Sequence, residues 1–166
     1  MQKVLSIVKA KSLNIDLIFP VLAFSIPFIL SGPQWLTGTF VNCYLFLYVS
    51  SLSQKYKTLA IILPSIAALL HGAVFGPFTP FLIYFLPFIW LGNLILVSIF
   101  ERTKSLNYSL RIILSSISKS VFLLSFAFIY VGLGIVPKLF MTSMGLIQLL
   151  TALLGGFLSL IILKII

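Results

Sequence analysis

Lys119 sits near the centre of the apolar run 110–130 (LRIILSSISKSVFLLSFAFIY), with no acid close to it in sequence. A cation at membrane depth costs at least about 2.5 kcal/mol, so it is usually paired, hydrated or used on a substrate. The only carboxylates are Asp16 and Glu101, which fall at one edge of the spans defined below. Two readings follow. Lys119 meets an anionic or strongly polar ligand from outside the chain, or it snorkels and borrows backbone carbonyls and structural water. The first is the working reading.

Other polar residues share its depth. At about 1.5 Å of rise per residue, Asn93 lies ~18 Å below the outer start of its span, and Lys119 ~14 Å above the inner start of its own. Both are near the midplane. Asn42, His71, Gln148 and Thr151 fall in the outer half by the same count, and Thr37 opens the span that carries Asn42. With Trp90, these residues are the candidate ligand contacts: Lys119, Asn93, Asn42, Gln148, Thr151, Thr37, Trp90 and His71. Each has a plainer use. The asparagines serve equally as glue between helices, His71 as a helix-end residue, Gln148 and Thr151 as packing, and Trp90 in an aromatic belt.

Catalytic and metal chemistry have little to work with. One cysteine (Cys43) and one histidine (His71) cannot make a disulfide, an iron–sulfur cluster or a CxxC zinc site within one chain. Two carboxylates at one edge give neither a catalytic acid pair nor a hard-metal cage. There is no GxxxxGK[ST] sequence, so ATP hydrolysis by that route is excluded. No enzymatic activity, metal or cofactor is expected, and a lipid-modifying enzyme ranks behind the non-enzymatic readings.

Hydrophobic residues make up 61% of the chain and charged residues 8%, with a mean hydropathy of +1.24. Such a chain cannot cover itself with polar surface, which makes it an integral membrane protein. The net charge of +9 points to lipid headgroups and topology signals, not nucleic acid, because the basic residues punctuate hydrophobic runs in ones, twos and threes. Continuous apolar runs favour helices over β-barrel strands. The fold class expected is an all-α membrane protein in one domain, with six spans at about 13–30, 35–52, 58–75, 81–100, 110–130 and 144–162.

Smaller expectations attach to these elements. Pro20, Pro27, Pro64 and Pro87 lie inside spans, where neighbours satisfy the freed carbonyls. Gly38 and Asn42 share one face of span 2, and Gln148, Thr151 and Gly155 one face of span 6. Ala68, Gly72 and Gly76 form a fourfold row in span 3 that suits close helix approach. The segment 131–143 reads as a lid that packs on the protein through Ile135, Leu139 and Phe140, with Gly132 and Gly134 permitting motion. Six spans put both termini on one side. Lys3, Lys9, Lys11, Lys55, Lys57, Arg102, Lys104, Arg111 and Lys164 share that side, against Lys138 on the other. The positive-inside rule then makes both termini cytoplasmic, in a multi-pass protein of the cell membrane.

The TGTFVN opening of span 2 (37–42), the run PFIWLGN (87–93) and QLLTALLGG (148–156) resemble the substrate-binding S components of energy-coupling factor transporters. They resemble in particular the small S-component-like proteins sometimes labelled "iron hydrogenase", although no cysteine cluster supports that label. The resemblance implies a six-helix bundle that binds a vitamin or similar micronutrient near its outer surface. It also implies delivery inward with a separate T component and two ATPases. The AxxxA row often found in span 1 of that family is represented here only by Ala23 and Ser25. The alternative is a stand-alone small-solute channel or uniporter, or a structural membrane subunit.

Overall fold

The computed structural model describes residues 18–30, 32–50 and 55–165. The expectations for Lys3, Lys9, Lys11, Asp16 and the start of span 1 lie outside these residues. Within them every regular element is helical: α1 (Ile18–Ile29), α2 (Gln34–Ser50), α3 (Lys57–His71), α4 (Leu82–Arg102), α5 (Tyr108–Gly132) and α6 (Leu139–Ile165). A 3₁₀ turn, Gly76–Phe81, leads into α4. With that turn, α4 reaches 27 residues, α6 is also 27 and α5 is 25. At 1.5 Å per residue, each exceeds the roughly 30 Å of a hydrocarbon core. These three are apolar enough as well as long enough to cross a membrane.

Several serines inside the apolar helices are satisfied locally. Ser115, Ser118 and Ser125 of α5 donate back to the carbonyls of Arg111, Leu114 and Val121, one turn earlier. Such hydroxyls need no water, so a serine-bearing helix can face lipid. Its outward face is accordingly apolar, with Ile117, Val121, Leu124 and Phe128 exposed.

The helices alternate in direction, because their ends pair in two groups. At one end Lys57 of α3 pairs with Glu101 of α4 at 2.7 Å. There Arg111 of α5 donates through Nε and Nη2 to the Phe100 carbonyl, and its guanidinium lies 3.8 Å from the Phe100 ring centroid. Tyr108 of α5 meets Ser159 of α6 at the same end. At the other end Gln34 of α2 donates to the Ser143 carbonyl of α6, and Phe140 packs against Phe75, Phe81 and Phe85.

Three interfaces dominate, α2 with α6, α5 with α6 and α4 with α5. Glycine makes the first possible. A Cβ on Gly155 would stand 2.5 Å from the Thr39 carbonyl oxygen and 2.6 Å from the Cys43 nitrogen, both backbone atoms of α2. One on Gly38 would stand 3.1 Å from the Thr151 side chain. The small faces read from spacing in spans 2 and 6 therefore meet each other.

Two expectations are corrected. Ala68, Gly72 and Gly76 do not form a helical row, because α3 ends at His71. Gly72 (φ +79°) caps it by donating to the Ala68 carbonyl, and Gly76 (φ +54°) sits in the next turn. Nothing lies within 4 Å of where either glycine's Cβ would be, so both serve backbone conformation and not helix approach. The segment 131–143 packs on the protein as expected of it, but less of it is loop than expected: α5 continues to Gly132 and α6 begins at Leu139. Val136 and Phe140 are buried in the core. Ala23, half of the span 1 small pair, is also buried, in the same core cluster as Tyr44 and Tyr48.

Candidate functional site

The prolines open the site. Pro64 cannot donate within α3, which leaves the Ala60 carbonyl without its helical donor. Beside this turn α4 supplies two bonds to α3. Asn93 Nδ2 donates to the Ile61 carbonyl at 3.0 Å, and Trp90 Nε1 donates to Ser65 Oγ at 2.7 Å, with Ser65 passing its own proton to the Ile62 carbonyl. The Asn93 amide is oriented by that carbonyl, which only an N–H can satisfy. Its Oδ1 is left as a buried acceptor with no partner among the described residues.

Across the bundle, α2, α5 and α6 build a polar chain. Lys119 Nζ donates to Asn42 Oδ1 at 2.7 Å. Asn42 Nδ2 donates to the Gly38 carbonyl at 2.9 Å and to Thr151 Oγ1 at 3.3 Å, and Thr151 donates in turn to the Gln148 carbonyl. Lys119 is 3% exposed and Asn42 1%, so this network is fully internal. An ammonium carries three donors, and Asn42 takes one of them. No other acceptor reaches Lys119 among the described residues. The nearest described carboxylate, Glu101, is engaged with Lys57 at the end of the bundle.

Both groups line one cavity. It runs from Pro27 and Gln34, near the Gln34–Ser143 end, to Asn93 and Lys119 midway along α4 and α5. The centre of a water-sized sphere can move through about 70 Å³ of it. One water needs roughly 10–15 Å³ by that measure, so there is room for several waters or a compact solute. Its walls are mostly apolar: Val41, Ala68, Val74, Phe75, Ile89 and Met144. An apolar chamber with a few converging polar groups is the usual form of a small-molecule site.

Six of the eight sequence-derived positions are at or behind this cavity. Lys119, Asn93, Asn42, Gln148 and Thr37 line it, and Thr151 stands behind Asn42. Gln148 has a side-chain amide with no partner among the described residues, whereas Thr37 spends its hydroxyl on the Leu30 carbonyl, tying α2 to the end of α1. His71 and Trp90 are not brought in. His71 is exposed at the end of α3, edge-on to the Phe28 ring. Trp90 faces the outer flank of α3 and α4 with Lys57, Leu91 and Leu94, and touches the cavity only through Ser65. Gln34 and Ser65 are cavity residues that spacing did not single out. Gln34 lies just before the span expected from residue 35, and Ser65 follows a proline in a mostly apolar helix.

Fold and site together define an all-α protein with three helices of membrane-spanning length and a buried, partly open cavity. No family model, curated protein or solved structure matches the chain.

Proposed function

We propose that this protein is a membrane subunit that captures a small solute in the Lys119 cavity, in the manner of an S component. One observation carries the reading: the buried Lys119 amine lines a cavity that no described carboxylate shares. A purely structural cation would be enclosed by acceptors, since leaving it partly unpaired in a low-dielectric interior is costly. Here the space beside it is open. In this reading all six helices cross the cell membrane and both termini are cytoplasmic. The end bearing Lys55, Lys57, Arg102, Lys104, Arg111 and Lys164 faces inward and Lys138 outward. The cavity then loads from outside, and a T component with ATPases supplies the energy that this chain has no motif to harvest.

Native mass spectrometry of gently purified protein tests the reading. A bound small molecule, with T-component and ATPase subunits in the same preparation, is expected. Protein that carries no small molecule, and that conducts solute unaided when reconstituted in liposomes, would replace it with the channel reading.

A further inference from the structure

The unused hydrogen-bonding positions in the cavity describe the ligand more closely than its size does. We propose that the site selects a compact organic monoanion, a carboxylate with a neighbouring N–H or O–H donor and an apolar body. The inference rests on the solute-capture reading above and specifies the chemistry of its solute.

Gln148 offers a free amide that both donates and accepts, so it discriminates little between ligands, whereas Lys119 and Asn93 each have one kind of bond left to give. Lys119 has committed one N–H to Asn42 Oδ1 and keeps two. They are donors bearing a full positive charge. A carboxylate has two oxygens for two such donors, and the resulting bonds are about twice as strong as neutral ones. It also cancels the charge, which a neutral carbonyl does not. Asn93 keeps the opposite capability, because one N–H of its Nδ2 is held by the Ile61 carbonyl while Oδ1, a buried acceptor, has no partner among the described residues. An acceptor that stays unpaired when the site fills loses its full desolvation cost, so the occupant must bring a donor. A simple inorganic anion with no proton to give fails that condition. A cationic solute fails at Lys119.

Asn42 cannot supply the missing balance. It carries no charge, its Nδ2 is committed to Gly38 and Thr151, and its Oδ1 already accepts from Lys119, so it positions the ammonium. The apolar walls, Val74, Phe75 and Met144 among them, set the rest of the ligand as hydrocarbon or a small ring.

Three near-isosteric probes separate these demands on the unmodified protein: pyrrole-2-carboxylate, furan-2-carboxylate and pyrrole-2-carboxamide. The first has both the anion and the donor, the second lacks the N–H, and the third lacks the charge. Isothermal titration of the purified, ligand-stripped protein in lipid nanodiscs is expected to rank pyrrole-2-carboxylate first. The expected margins are about threefold or more over the furan and about tenfold or more over the amide. In Lys119→Met the preference for carboxylate over carboxamide should vanish. Equal binding of all three, a preference for the amide, or no binding of any at millimolar concentration overturns the assignment. These results are distinguishable from failure of solute capture itself. A neutral or cationic molecule co-purifying with the protein would leave capture standing while removing the monoanion.

Discussion

Asn42 and Lys119 act as one unit, and the energetics of that pair decide what each mutation does. Asn42→Leu keeps side-chain volume but leaves the ammonium without its acceptor, at a cost of about 1.5–3 kcal/mol for a bond to a charged group. Lys119→Met strands Asn42 Oδ1, costing about 1–3 kcal/mol, but it also removes a buried cation that costs about 2.5 kcal/mol or more. Those terms nearly cancel. Thermal unfolding in detergent should therefore show Asn42→Leu well below wild type and Lys119→Met close to it. The double variant should be more stable than Asn42→Leu alone, with a coupling of about 1–3 kcal/mol. Strictly additive shifts would mean that the two side chains do not interact. At this scale the sequence was partly informative. A lysine inside an apolar run is conspicuous, whereas its partner lies 77 positions away and can be found only once α2 and α5 are packed together. The free Oδ1 of Asn93 depends likewise on how α4 meets the turn before Pro64.

Between elements, the α2–α6 interface is where a single methyl group matters most. Gly155→Ala would place a Cβ 2.5 Å from one backbone atom of α2 and 2.6 Å from another. Backbone cannot swing aside as a side chain can, so the helices must separate, at a cost of about 1–3 kcal/mol. Because Asn42 and Thr151 bond across this interface, the change should also loosen the Lys119 network. Gly132→Ala is the control: nothing lies within 4 Å of its added Cβ, and alanine favours a helix end over glycine. The first variant should melt several degrees below wild type and the second at or above it. If both melted alike, close packing would not be what Gly155 provides. Hydropathy located the apolar cores of these helices well, because a membrane helix must be apolar over most of its length. Their ends were less legible. Gly72 and Gly76 continue a fourfold small-residue pattern from Ala68, and only their positive φ shows that the helix has already stopped. The 131–143 segment read as a loop because of its glycines and Pro137. Burial of Phe140 among the aromatic rings of α4 and the preceding turn is instead enough to start α6 at Leu139.

For the whole molecule, orientation and occupancy are the properties to measure. The described cations at the Lys57–Glu101 end outnumber those at the other, where Lys138 stands, so single cysteines report the orientation directly. Lys138→Cys should react with an impermeant maleimide on intact cells, and Lys104→Cys only after permeabilisation. Both positions are exposed, and the native Cys43 is buried, which keeps its background low. The reverse pattern would place the cavity mouth toward the cytoplasm and remove uptake from outside. Occupancy bears on the central claim that Lys119 holds a solute. Its most direct test is native mass spectrometry of wild type and Lys119→Met purified side by side under the same gentle conditions. Wild type should carry a small-molecule adduct that Lys119→Met, equally well folded, has lost or retains at about a tenth of the occupancy or less, the loss expected for one charged hydrogen bond. An adduct of equal abundance in both proteins, or none in wild type, would contradict it.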